Sequence, residues 1–140
     1  MARKGFKILD HPADLGIEAF GKNLKEAFEQ AAVALMSVIL DISNVHEPTT
    51  RTVRLDASDH EHMLVKWLTE VLYLYDGQRF VSCRFDVKQL TVDSLKAVIY
   101  GEKFDPARHS TKLDVKAITY HQLQIKKNQQ GFSVRVFLDV

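Results

Sequence analysis

Apolar residues follow two rhythms along this chain. In "NLKEAFEQAAVALMSVIL" they recur at Leu24, Ala27, Phe28, Ala31, Ala32, Leu35, Met36 and Ile39, a spacing that lays one stripe along a helix. The start of that helix is marked as well. Asn23 can accept from early backbone N–H groups, and Glu26, three residues on, can return the bond as in a capping box. The pattern predicts an end near Leu40. A second stripe, Met63, Leu64, Trp67, Leu68, Val71 and Leu72, predicts another helix, opened by Ser58 and Glu61 in the same capping pattern and stopped by Gly77. At helical spacing, both stripes read as core rather than as the lining of a cofactor site.

Elsewhere the period is two. Phe6 to Leu9, Gly16 to Gly21 and "TRTVRLDA" alternate as strands do, and beyond Arg79 come "RFVSCRFDV", "QLTV", "LKAVIYGEKF", "LDVKAITYHQLQIKK" and "FSVRVFLDV". Turns are signalled at Asp93-Ser94, Asp105-Pro106 and Asn128 to Gly131. The expected fold class is α+β: a two-layer sandwich of a mostly antiparallel or mixed β-sheet, with two main α-helices packed on one face. The 140 residues are expected to form one domain, 1–140.

Charge narrows the function. With 19 basic and 18 acidic residues and a net charge of +1, the chain lacks the basic field of a direct nucleic-acid binder, so contact with RNA is expected to be local or indirect. The single cysteine, Cys83, has no internal disulfide partner, and its apolar neighbours predict a buried, inert thiol in a reducing compartment. No window resembles a signal peptide or a membrane span, which makes the expected location cytoplasmic.

The familiar signatures of nucleotide and hydrolase sites are absent: there is no P-loop, Gly-rich dinucleotide turn, paired CxxC or G-x-S-x-G elbow. His60 and His62 are two apart on a predicted helix and point in different directions, unlike a metal pair at four-residue spacing. His11, His109 and His121 lie near turns or strand ends, where side chains of different elements converge. Glu102 and Lys116 lie on alternating strands, where a charge ordinarily faces water. Asp14, before Leu15-Gly16, reads locally as an Asx-type turn. Asp139 ends an apolar strand beside Val140, whose α-carboxylate adds a second negative group. Clustered carboxylates repel unless a cation neutralises them, and oxygen-only ligands select calcium, magnesium or manganese over zinc.

The stretch "LDHPADLGIEAFGKNLKEAFEQAA" resembles the opening of the archease family, D-H-T-A-D-x-G followed by the first helix. "GEKFDPARH", "VKAITYHQL" and the terminal "VFLDV" resemble three further landmarks of that family, in the same order, so the resemblance spans essentially the whole chain. It implies a two-layer α/β sandwich and a protein that assists an RtcB-type RNA ligase by promoting GTP-dependent guanylylation of the ligase and its repeated turnover. RNA and GTP would be met only through the ligase, and no membrane is involved. It also implies a divalent-cation site, most often calcium, at Asp14, Asp139 and Val140, a functional lysine at Lys116, and His11, Glu102, His109 and His121 as candidate surroundings. Pro12 departs from the family threonine and removes a hydroxyl and an N–H from that loop. Two other classes stand beside this one: a general chaperone or adaptor holding partners through exposed apolar surface, and a free-standing metal-dependent phosphoester hydrolase with His11 or His121 as base.

Overall fold

The computed structural model describes residues 4–10 and 14–140. The element order is β1 (Gly5–Asp10), β2 (Leu15–Gly21), α1 (Leu24–Ile39), β3 (Thr49–Asp56), α2 (His60–Asp76), β4 (Phe80–Leu90), β5 (Ser94–Lys103), β6 (Ala117–Asn128) and β7 (Gly131–Asp139), with a short 3₁₀ turn at Ile42–Asn44. The expected α+β sandwich is present, and every named strand pairing is antiparallel. The strands divide between two sheets: sheet A in the order β1-β2-β7-β6, and sheet B in the order β3-β5-β4. No helix among the described residues is long and apolar enough to cross a membrane.

Both helices begin and end for local reasons. The Asn23 side chain accepts from the Glu26 N–H at 2.9 Å, as expected, while the Glu26 carboxylate reaches back to the Lys22 N–H at 3.0 Å, one residue before the cap. The cap of α2 is Asp59, not Ser58: its carboxylate accepts from the His62 N–H at 2.8 Å. Asp59 is one residue closer to the first helical turn and carries the better acceptor. Gly77 ends α2, its N–H donating to the Tyr73 carbonyl at 2.7 Å.

Alternation then decides what is buried. Ile17 and Ala19 of β2 pair with Val136 and Val134 of β7, and all four are buried. Helix α1 packs on this face through its alanine-rich stripe and also reaches β4, whereas α2 packs on β6 and β4. Ala27, Ala31 and Ala32 are fully buried, and their small side chains let helix and sheet approach closely. Trp67 is fully buried too. Its indole N–H would be orphaned there, and it donates to the Phe28 carbonyl of α1 at 2.9 Å, tying the helices together. Glu29 does comparable work at the edge of sheet B. Its carboxylate accepts from the Val87 N–H at 2.8 Å, where β4 is bulged, and burial pushes its pKa up.

Gly101 in β5 has no room for a side chain. A Cβ there would lie 2.0 Å from the Val81 carbonyl oxygen, beside the irregularity between Ser82 and Arg84 in β4. Since the obstacle is backbone, no rotamer change can relieve it. Gly101→Ala is expected to cost about 2 kcal/mol, read as a lower urea midpoint with unchanged slope.

Candidate functional site

In the β2–β7 ladder Leu15 faces Leu138, so the next residues outward on the two strands are Asp14 and Asp139. On the other side of β7, Ala117 of β6 faces Asp139, and the Lys116 N–H donates to the Asp139 carbonyl at 2.7 Å. One end of sheet A therefore gathers Asp14, Asp139, Val140 and Lys116 from three separate stretches of chain. Asp14 is half-buried, and Asp139, Val140 and Lys116 are exposed. Neither the Asp14 nor the Asp139 carboxylate has a hydrogen-bond or ion-pair partner among the described residues. Oxygen donors alone are a set for hard cations. Among the described residues no group of three or more His, Cys, Asp or Glu side chains is arranged to hold a metal ion, so a full cation shell here would need the Val140 carboxylate or water beside the two aspartates.

His121 lies nearby on β6. Between the Thr119–Phe137 and Gln124–Arg135 pairs the β6 register breaks, and four residues of β6 stand against Val136 alone. Gln122 takes up the excess in the left-handed region, at φ 52°. The His121 ring meets the edge of the Phe137 ring at 6.0 Å. Phe137 in turn lies over Gly16, where a Cβ would come within 2.9 Å of its ring. Residues 11–13, including His11 and Pro12, lie outside the described residues.

Glu102 and His109 are brought together, in a network of their own. Glu102 ends the buried run of β5. Its carboxylate accepts Arg108 at both oxygens, at 2.5 and 2.8 Å, the His46 N–H at 2.8 Å, and His109 Nε2 at 2.9 Å. The Asp105 N–H donates to His109 Nδ1 at 2.9 Å. That bond leaves the proton on Nε2, which donates to Glu102. The Arg108 guanidinium, ahead of the other bonds, holds the Glu102 carboxyl far below the ordinary carboxylate range. Neither residue bonds to Asp14, Asp139 or Lys116, so the pair braces the 104–110 loop. Sequence reading missed the partners of this carboxylate, Arg108 and the His46 amide; Arg108 stood beside His109 as a signal, but His46 lies fifty-six residues from Glu102.

Cys83 is half-buried rather than buried. Burial, with Glu47 beside it, pushes the thiol up to about 11, which keeps it protonated and poorly nucleophilic. His60 and His62 stand in the first turn of α2, and the His62 ring meets the edge of Tyr120 at 6.2 Å.

The model of the Archease protein family (MTH1598/TM1083) matches residues 6–140. The chain belongs to the archease family. Among its relatives, the protein archease of Methanosarcina acetivorans is 38% identical, with 98% of this chain and 97% of that protein covered. The protein archease of Pyrococcus abyssi is 40% identical, with 91% and 92% covered. The solution structure of Methanobacterium thermoautotrophicum protein 1598 superimposes with a TM-score of 0.85 at 33% identity, covering 99% of this chain and all of that one. A Thermotoga maritima archease, described as a possible chaperone, shares the fold at a TM-score of 0.65 and 18% identity, with 96% of each chain covered.

Proposed function

We propose that this member of the archease family is a non-catalytic activator of an RtcB-type, GTP-dependent RNA ligase, working in the cytoplasm from the carboxylate end of sheet A. The observation that supports it is the register that sets Asp14 beside Asp139 with Lys116 on the adjoining strand. Asp14, Asp139 and the Val140 carboxylate would hold a divalent cation, calcium by preference, or magnesium or manganese. When bound, that cation supplies positive charge for phosphate chemistry. The aspartates would fix its place. Lys116 adds a mobile point charge suited to a phosphate oxygen. Acceleration would come from electrostatics and positioning, while the bond-making histidine belongs to the ligase.

The test is transfer of labelled GMP to a purified cognate ligase, with and without this protein, in the presence of each divalent cation. Stimulation is the expected result. A competent ligase that gains nothing overturns the reading. Lys116→Ala is expected to weaken stimulation while leaving the calcium-induced rise in melting temperature in place. Loss of that rise would put the lysine in the scaffold of the cation site instead.

A further inference from the structure

The far end of sheet A carries a concavity. Its volume is about 570 Å³, and it lies between the starts of both helices and the ends of three strands. Leu24, Leu90, Ile125 and Phe132 form an apolar floor, and Lys25, Lys88 and His60 stand around it. A smaller hollow continues from it along β6, sharing His60 and Ile125 and adding Lys126 but also the carboxylates Asp59 and Glu61, which leaves the first concavity as the place for an anion. Lys88 is paired with Asp86. Lys25 and His60 have no hydrogen-bond or ion-pair partner among the described residues. The first turns of α1 and α2 open here already capped by Asn23 and Asp59, so the positive charge on offer is that of the side chains.

We infer that this concavity binds a nucleoside phosphate, its base on the Phe132 and Ile125 floor and its phosphate toward Lys25 and Lys88. The size suits one such molecule. An aromatic side chain with flanking lysines is also the pairing that holds bases and phosphates in sequence-tolerant sites. The ligand is either a free nucleotide or one nucleotide of a single-stranded RNA. This site is separate from the carboxylate end: Phe132 is the second residue of β7 and Asp139 its last.

The test uses the isolated full chain, with neither ligase nor divalent metal, so its outcome is independent of the ligase reading. Titration with GMP, followed by amide NMR, is expected to move the signals of Leu24, Lys25, Leu90 and Ile125 and to saturate. Lys25→Glu with Lys88→Glu, which reverses two exposed charges, is expected to weaken binding at least about tenfold, with the remaining spectrum unchanged. A ten-nucleotide single-stranded RNA distinguishes the sources. Tighter binding than GMP at the same residues, falling steeply with salt, assigns the site to RNA; equal or weaker binding assigns it to the free nucleotide. No saturable shift with either probe, or shifts that survive the double charge reversal, overturns the inference.

Discussion

Asp139→Ala is expected to leave a folded protein whose stimulation of ligase guanylylation is largely lost. The side chain is exposed at the end of β7 and touches no described partner, so its loss removes no packing and no internal bond. Without cation the melting temperature should barely move. With calcium, wild type should gain stability by mass action, while the variant gains little. Stimulation should fall about tenfold or more, the scale seen when a preorganised charge is taken from a phosphate-handling site. Asp14→Ala should behave alike, because on the proposed reading Asp14, the residue before β2, would supply the facing ligand. Melting curves with and without calcium, run beside the GMP-transfer assay, check both halves. Full stimulation by both variants would end the carboxylate account.

The second large effect falls on stability. Glu102→Gln is expected to cost about 3 kcal/mol, because the amide cannot accept Arg108, His46 and His109 together and its own N–H₂ meets donors. For a chain of this size that is roughly 6–12 °C in melting temperature. The pH dependence carries the same signature. The folded carboxyl is held below its ordinary value of 4.5, so its contribution is complete above that value and is lost as pH falls below it toward the folded pKa. Wild type should therefore lose melting temperature steadily on acidification below the ordinary carboxylate range, and Glu102→Gln should lose less over the same interval. Parallel slopes would show that Glu102 is not a principal source of acid sensitivity.

What the sequence made legible follows the range of each interaction. Helix stripes and the Asn23 cap depend on residues within four positions, and both were readable. The cap of α2 was misplaced by one residue because Ser58 and Asp59 are both good caps, and only the backbone direction chooses between them. The division into two sheets was not legible, since alternation tells a strand its buried face but not its neighbour. The meeting of Asp14 with Asp139 belongs to that same class of long-range pairing, and family resemblance, not spacing, brought the two together. Nothing local announces that β6 will set four residues against one at Gln122. The Glu102 network was half visible: both acid and histidine lay in one motif, while the His46 amide that completes it comes from across the fold.

The β2–β7 ladder also has a consequence for synthesis. β2 begins at Leu15 and takes Leu138 as its partner, so most of the chain must leave the ribosome before that pairing can close. Contacts so distant in sequence form late, because the loop entropy is lost before the reward arrives. Nascent chains would carry both helices, with apolar faces uncovered, while β7 is still missing. The end of sheet A where Asp14 and Asp139 lie side by side is therefore among the last parts of the fold to be assembled: a nascent chain carries Asp14, just before β2, long before its companion at the end of β7 emerges.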